Sequence, residues 1–269
     1  MAIKTRKVGI IGAGNVGSHV GLQLAVQGLC DEIVFYDVKH DKSYGEALDL
    51  LDAVSYQPHH VEAYAGTIDD MKDADILINA SGNPREEHQN RLDMLEGAVK
   101  TSNEFIPFIQ KSGFDGIIIS ISNPCDVIAQ YLQYKLDWPK EKLIGSGTAL
   151  DSARLQMYLS EQLKVNRRSL TAYLLGEHGD SSMIPWSHVR VAGKTLDELL
   201  EEKPENCKVL EINNPIIDER DMHKIRQLNQ DGFRNETISL LFYRGMPLKE
   251  ALHLLFVECE RAYHRGTNI

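Results

Sequence analysis

The chain lacks the features that mark secreted, membrane-spanning or nucleic-acid-binding proteins. Its N-terminus is basic, but the apolar run that follows is short and ends at Gly12, so neither a signal peptide nor a transmembrane span is predicted. It has no excess of positive charge, because 29 lysines and arginines stand against 39 aspartates and glutamates, for a net charge of −10. This balance argues against nucleic acid or an anionic membrane surface as a partner.

Cysteine and histidine lack the spacings of a metal site. The 4 cysteines form no CxxC or CxxH pair, which predicts reduced thiols in a cytoplasmic protein and no bound metal. Six histidines also show no ligand spacing and are interpreted as surface or packing residues: His19, His40, His59, His60, His88 and His188.

The first half of the chain alternates short apolar runs with amphipathic helical runs. This order predicts an α/β fold with a doubly wound parallel sheet and right-handed crossovers. The continuous apolar run over 116–121 predicts a strand that is buried on both faces. A Gly-Ser-Gly break at 145–147 divides the chain into predicted domains 1–147 and 148–269. The second domain is the smaller, an α+β domain that becomes polar and irregular after about 203, with helices predicted over 219–230 and 247–264.

A glycine-rich loop follows the first predicted strand and begins a helix, as in Rossmann dinucleotide-binding domains. In this pattern the first glycine allows a tight turn, the second lets backbone approach a pyrophosphate, and the third lets the helix pack on the strand. Asp37 ends the second strand, where a carboxylate can accept both ribose hydroxyls of NAD and repel the 2′-phosphate of NADP. The alternative is a plain glycine turn beside an exposed aspartate. The predicted NAD-binding loop residues are Gly12, Gly14, Asn15, Val16 and Gly17.

A carboxylate, a guanidinium and an imidazole follow in the second half. Asp151 and Arg154 stand in Asp-Ser-Ala-Arg, and His178 stands in Gly-Glu-His-Gly-Asp. The carboxylate can set the tautomer of the imidazole, the imidazole can move an alcohol proton, and the guanidinium can bind a substrate carboxylate. Each also has a structural interpretation: Asp151 in a capping box with Thr148 or in an ion pair with Arg154, and His178 as a turn residue between glycines.

Three further polar residues precede the predicted domain boundary. Arg91 begins a helix predicted over 91–111, where the helix dipole disfavours a cation, and the polar stretch before it can act as a lid that brings Arg91 to a carbonyl oxygen. Arg85 lies in that stretch, and its alternative is a solvated arginine balanced by the two glutamates after it. Asn123 ends the most apolar strand, at the sheet edge where such folds bind ligands, and the proline after it predicts a turn or a cis bond.

Taken together, GAGNVG, YDV, GEALDL, SNPCDVI, GTALDSARL and GEHGDSSMIPWS resemble the L-lactate/malate dehydrogenase family, which includes L-2-hydroxyisocaproate dehydrogenases. The resemblance covers about residues 6–200. It implies an NAD-dependent enzyme acting on a small 2-oxo or 2-hydroxy acid, assembled as a homo-oligomer, a dimer or tetramer, in the cytoplasm. By this resemblance the glycine loop and Asp37 hold NAD, and Asn123 contacts the nicotinamide ribose and the substrate side.

The resemblance also implies the catalytic roles. Arg91 polarises the substrate carbonyl, Arg154 binds the substrate carboxylate, and His178 is the acid/base paired with Asp151. Malate-type members carry Pro-Arg where this chain has Pro84-Arg85, whereas lactate-type members carry glutamine or another uncharged residue. Malate or oxaloacetate is therefore the expected substrate, although the rest of the malate-type loop is absent. Lactate or a branched 2-hydroxy acid is the alternative.

The pattern departs from the family after residue 203. The usual Lys-Gly-x-Thr segment, whose threonine lines the substrate site, is not recognisable, and the last strands and C-terminal helix of the family have no counterpart. An alternative hypothesis, from another class of function, is that the chain is a truncated or divergent homologue that binds NAD without turnover.

Overall fold

The computed structural model describes residues 4–82, 94–179 and 182–202. The chain divides into two compact units between Ser146 and Gly147. Each unit has its own sheet and its own buried hydrophobic residues.

The first unit is built on a six-stranded sheet with the strand order β3-β2-β1-β4-β5-β6, in which all neighbours are parallel. This is the strand order of a doubly wound dinucleotide-binding domain, so the predicted fold class is confirmed. Successive strands are added in one direction from β1 to β3 and in the opposite direction from β4 to β6. The connections therefore diverge between β1 and β4, which opens a crevice at the carboxyl ends of these two strands. The strands are β1 (Lys7–Ile11), β2 (Glu32–Tyr36), β3 (Glu62–Ala65), β4 (Ile76–Asn79), β5 (Ile117–Ser120) and β6 (Leu143–Gly145).

Four helices cover the sheet: α1 (Asn15–Val26), α2 (His40–Val54), α3 (Leu95–Ser112) and α4 (Cys125–Leu136). One core lies between α1, α2 and strands β1 to β3, and a second lies between α3, α4 and the sheet. The central strand β1 is buried along its whole length. On α1, a Cβ at Gly21 would lie 2.4 Å from the ring of Phe35, so this glycine allows the helix to lie close to the sheet.

Strand β5 differs from its sequence-based prediction. Ile118 is 2% exposed beneath α3 and α4, but Ile117 is 36% exposed and Ile119 is only partly buried. The prediction of two buried faces is wrong here, because α1 and α2 lie over β1 to β3 and leave the Ile117 side of β5 less covered. An apolar run in a parallel sheet indicates a strand, but not how far the neighbouring helices extend over it.

The second unit contains α5 (Ala149–Leu163), a three-stranded antiparallel sheet and α6 (Leu196–Glu202). The sheet strands are short: β7 (Leu170–Thr171), β8 (Arg190–Val191) and β9 (Lys194–Thr195). Apolar and polar residues alternate over 170–175 and 187–192, which predicts longer strands than these. The prediction is wrong in length, since a 3-10 turn over Trp186–His188 precedes β8 and Leu175 makes only an isolated bridge to Met183. The helices predicted over 219–230 and 247–264 lie outside the described residues.

The described residues contain no helix that is both long and apolar enough to cross a membrane. Over the same ranges, no three or more histidine, cysteine, aspartate or glutamate side chains are grouped to hold a metal ion. Cys30 and Cys125 are buried thiols, and burial raises the pKa of Cys30 to about 11. A thiol with a raised pKa has little thiolate at neutral pH, which fits a packing role for Cys30.

Candidate active site

The glycine loop between β1 and α1 has no room for side chains at its first and third glycines. Gly12 has a φ of +98°, and a Cβ there would lie 2.8 Å from the backbone of Ala80. A Cβ at Gly17 would lie 1.9 Å from the carbonyl oxygen of Gly12. The first glycine thus allows the turn against the loop after β4, and the third allows α1 to begin close to the strand.

The second glycine of the loop is different, because the protein leaves space beside it. A Cβ at Gly14 would meet only the Nζ atom of Lys42, at 3.9 Å. Gly14 caps α1 without a side-chain hydrogen bond, and the first turn of α1 contains no acidic residue. Because the first N–H groups of a helix have no partner within it and lie at the positive end of its dipole, the space beside Gly14 suits a pyrophosphate.

Asp37 is held against this loop. One of its carboxylate oxygens accepts a hydrogen bond from the Ala13 N–H at 2.9 Å, and the other accepts one from the Lys39 N–H at 2.9 Å. The side chain is half-buried at the end of β2. Because a carboxylate oxygen can accept more than one hydrogen bond, both oxygens retain acceptor capacity for ribose hydroxyls. The residues present therefore fit a dinucleotide.

Asn123 lies three residues beyond β5, at the carboxyl edge of the same sheet, and is exposed. The Asn123–Pro124 peptide bond is cis. Below this loop, buried polar side chains of β4, β5 and the loops that follow them form hydrogen bonds with one another. Sequence reasoning missed this cluster, because serine and asparagine at strand ends are ordinary in any sheet.

In the second unit, the carboxylate and the imidazole meet. The Nδ1 atom of His178 lies 2.5 Å from Oδ2 of Asp151, and the two side chains are only 12% and 11% exposed. The other carboxylate oxygen of Asp151 lies 3.5 Å from Nη1 of Arg154, one turn further along α5. The Arg154 side chain is half exposed, so its guanidinium remains accessible to an anion while it contacts Asp151.

The structure also shows whether Thr148 and Asp151 form the capping box that their spacing predicts. The Thr148 side chain forms no capping hydrogen bond with α5, because its hydroxyl donates to the carbonyl oxygen of Leu174 at 2.6 Å. Ser152 accepts a hydrogen bond from the Leu174 N–H at 2.9 Å. Two hydroxyls of the α5 N-terminal turn therefore hold the segment that leads to His178, while Asp151 itself contacts the imidazole. Sequence reasoning assigned no role to Ser152 and placed Thr148 in a capping box.

Two arginines of the predicted site, Arg85 and Arg91, lie outside the described residues. The structure therefore places the glycine loop, Asp37 and Asn123 in the first unit, and Asp151, Arg154 and His178 in the second.

A doubly wound sheet with this loop and an acidic residue ending β2 defines a dinucleotide-binding protein. The chain belongs to the lactate/malate dehydrogenase family of NAD-dependent 2-hydroxy acid dehydrogenases. The model of that family's NAD-binding domain matches residues 6–145, and the model of its alpha/beta C-terminal domain matches residues 148–211. The predicted family and the predicted cofactor, NAD, are confirmed.

Named relatives are similar over most of this chain. L-lactate dehydrogenase 3 of Bacillus cereus is 42% identical over 214 residues, which is 79% of this chain and 67% of the relative. The solved minor L-lactate dehydrogenase of Enterococcus mundtii has 33% identity and a TM-score of 0.71, covering 83% of this chain and 68% of that one. The solved Cryptosporidium parvum malate dehydrogenase has 26% identity and a TM-score of 0.71, covering 88% and 72%.

The chain spans about two thirds of the length of the curated relatives it matches. A model of another family, the glutamate synthase central domain, matches residues 187–269 and overlaps the dehydrogenase match over 187–211. The departure from the dehydrogenase pattern after residue 203 therefore falls where a second family model also matches.

Proposed function

We propose that this chain interconverts a small L-2-hydroxy acid and the corresponding 2-oxo acid with NAD as the redox partner. The single observation that supports this most strongly is the buried contact of 2.5 Å between Asp151 and the Nδ1 atom of His178. A dinucleotide site alone fits many binding proteins, whereas a carboxylate that orients a nearly buried imidazole is an arrangement for moving a proton.

The proton step follows from this geometry. With Nδ1–H donating to Asp151, Nε2 is the ring atom that takes the hydroxyl proton in oxidation and returns it in reduction. The carboxylate stabilises the imidazolium that forms. When bound, the nicotinamide supplies the hydride chemistry, and the protein supplies binding and orientation.

The remaining roles are assigned as the family resemblance implies. Arg154 binds the substrate carboxylate through a charge-assisted pair, for which its half-exposed guanidinium is suited. Arg91 stabilises the charge that grows on the carbonyl oxygen, and a preorganised cation of this kind is a large contribution to catalysis. Asn123 contacts the nicotinamide ribose from the loop after β5.

We further propose that the substrate is a dicarboxylate, with oxaloacetate preferred over pyruvate. An arginine that faces the substrate in a closed, water-poor site is costly when it faces a methyl group, and a second carboxylate would pair with it in bidentate fashion. Arg85 supplies that cation. Pyruvate and lactate are the second candidate pair, because the named relatives with 36–42% identity are L-lactate dehydrogenases.

The test is NADH oxidation with oxaloacetate, pyruvate and 2-oxoisocaproate in parallel, for the parent chain and Arg85→Gln. We expect oxaloacetate to have the highest kcat/KM in the parent, and Arg85→Gln to reverse the order of oxaloacetate and pyruvate. Arg167→Gln, which removes the same charge from an exposed position after α5, serves as the control. A parent that prefers pyruvate, with no change in Arg85→Gln, would place Arg85 in solvent and assign the lactate-type reaction.

One observation favours a function of another class. The match to a glutamate synthase central domain over 187–269 covers the region where the substrate-side threonine of a dehydrogenase is expected. A chain that binds NADH but oxidises it with none of the three oxo acids would be an NAD-binding protein without turnover. The same purified protein decides between the two, since NADH binding is read by fluorescence and turnover by absorbance at 340 nm.

The quaternary state and location stay predictions from the family resemblance. We propose a homo-oligomer, a dimer or tetramer, in the cytoplasm. Light scattering of the purified chain measures the first, and a mass equal to one chain would contradict it.

A further inference from the structure

We propose that Asn79 is a positioning residue for the nicotinamide side of the cofactor site, acting through a buried polar cluster on the loop that carries Asn123. We name this cluster, which consists of Asn79, Ser81, Ser120 and Ser122, the Asn79 cluster. The inference rests on the proposed function in one respect, the role given to Asn123. Nothing in the geometry below depends on turnover.

Asn79 ends β4, whose other residues, Ile76 to Ile78, are apolar. It is only 1% exposed, and both the nitrogen and the oxygen of its side-chain amide form hydrogen bonds with neighbouring residues. Its Nδ2 donates to the hydroxyl of Ser120 at 3.3 Å, across to the end of β5. Its Oδ1 accepts from the hydroxyl of Ser81 at 2.6 Å and from the Ser81 N–H at 3.2 Å, in the loop after β4.

Ser122 connects the next loop to this centre. Its hydroxyl lies 2.5 Å from the carbonyl oxygen of Ser81 and 3.3 Å from that of Asn79. Ser122 is directly followed by Asn123. A chain of hydrogen bonds therefore runs from the Asn79 amide through the loop after β4 to the residue beside Asn123.

The cluster also borders the glycine loop. The α-carbon of Ser81 and the carbonyl group of Ala80 are the atoms that a Cβ at Gly12 would strike, at 2.8 Å. The loops after β1, β4 and β5 thus lie against one another at the carboxyl edge, where the strand order reverses. A largely buried network of hydrogen bonds restricts the arrangement of the segments it joins.

A purely structural role is the competing explanation. Packing alone would be served by an apolar residue at position 79, because buried polar groups are costly unless paired. The cluster is instead confined to the strand ends that support the site. We therefore infer that the Asn79 cluster fixes the position and orientation of Asn123 relative to the glycine loop. Both halves of one dinucleotide can then be bound at the same time.

The experiment compares two ligands on the intact chain by titration calorimetry: NADH, and ADP, which lacks both the nicotinamide and the ribose that carries it. The variants are Asn79→Ala and Ser122→Ala, with Ser122→Thr restoring the hydroxyl. Ser102→Ala is the matched control, since Ser102 is also buried in the same unit and its hydroxyl bonds the Ala98 carbonyl of its own helix. Ser122→Ala keeps every side-chain bond of Asn79, so it remains informative where Asn79→Ala does not fold.

We expect Asn79→Ala and Ser122→Ala to weaken NADH binding roughly fivefold to tenfold, as for the loss of one buried hydrogen bond, while ADP affinity stays within about twofold. Ser122→Thr should recover most of the NADH affinity, and Ser102→Ala should match the parent for both ligands. Equal loss for NADH and ADP, or no loss for either, would overturn the proposal. Failure of the proposed function gives a different result, because the parent would then bind NADH but reduce none of the oxo acids.

Discussion

Replacing Asp151 by asparagine tests the central contact of the proposed mechanism with the smallest change of shape. The carboxylate oxygen that lies 2.5 Å from Nδ1 of His178 becomes part of a neutral amide. If the amide nitrogen turns toward the ring, it donates to Nδ1 and places the ring proton on Nε2. That is the wrong tautomer for accepting a proton from an alcohol. If the amide oxygen faces Nδ1, the tautomer is kept but the imidazolium loses its counter-ion.

The size of the effect follows from the charge pair. Both side chains are nearly buried, with 12% and 11% of their surface exposed. At an effective dielectric constant of about 20 and a charge separation of about 4 Å, a carboxylate attracts an imidazolium by about 4 kcal/mol. An amide dipole retains part of this, so the loss is about 2–4 kcal/mol. Since about 1.4 kcal/mol corresponds to a factor of ten in rate, we expect kcat to fall roughly 30-fold to 1000-fold.

The assay is steady-state NADH oxidation with the best 2-oxo acid, together with NADH binding by fluorescence. We expect Asp151→Asn to lower kcat while NADH affinity changes less than about threefold, because the proposal assigns Asp151 to the proton step and gives it no contact with NAD. The control is Glu161→Gln, which removes one negative charge from the exposed side of the same helix. If Asp151→Asn retained the kcat of Glu161→Gln, the carboxylate would have no part in the proton step.

Three further predictions test other parts of the molecule. His178→Ala should lower kcat by about 10²-fold to 10⁴-fold with NADH binding nearly unchanged, and full turnover in this variant would make His178 a turn residue. Asp37→Ser should narrow the preference for NADH over NADPH in kcat/KM, and equal use of both cofactors by the parent would contradict the role of Asp37. Lys7→Met should destabilise the fold by about 1–3 kcal/mol in urea unfolding at pH 7, because the buried ammonium lies 2.8 Å from Asp73 and 3.0 Å from Glu32. Burial alone would lower the pKa of Lys7, but the hydrogen bonds to Asp73 and Glu32 outweigh it and raise the pKa. The stabilisation is therefore complete below about pH 10.4, the ordinary lysine pKa, and is lost as the pH rises through the folded-state pKa. The difference in unfolding free energy between parent and variant should shrink over that range. A difference that is independent of pH would refute this account.

The parallel sheet could be predicted from local pattern, because both of its determinants are local. Each strand is a short apolar run, and each crossover helix has an apolar face that repeats every three to four residues. The glycine loop was equally predictable, since only glycine fits where a Cβ would lie 1.9 Å from the Gly12 carbonyl oxygen. The extent of cover over β5 was not predictable, because it depends on where α1 and α2 end rather than on the strand itself.

The candidate site also contains residues that the sequence could predict and contacts that it could not. The residue types at 151, 154 and 178 were recognisable, because proton transfer and anion binding require particular side chains. The hydroxyls that hold the segment before His178 were not. Thr148 is four residues before Ser152 in sequence, and both bond the backbone of Leu174 more than twenty residues away. A capping-box pattern is a local interpretation, and a distant carbonyl group competed with it for the same hydroxyl.

The shared carboxylate of Asp151 explains why an arginine and a histidine are both needed beside it. Asp151 contacts His178 through one oxygen and Arg154 through the other, so the three groups carry no net charge when the imidazole is neutral. In the proposed mechanism, the substrate carboxylate that binds Arg154 adds one negative charge, and protonation of the imidazole restores neutrality before reduction begins. Without Arg154 the same substrate would place two carboxylates beside a single cation, which a nearly buried site tolerates poorly. In this mechanism we therefore expect Arg154 to serve the proton step as well as substrate binding, because it would keep the carboxylate of Asp151 available to the imidazolium.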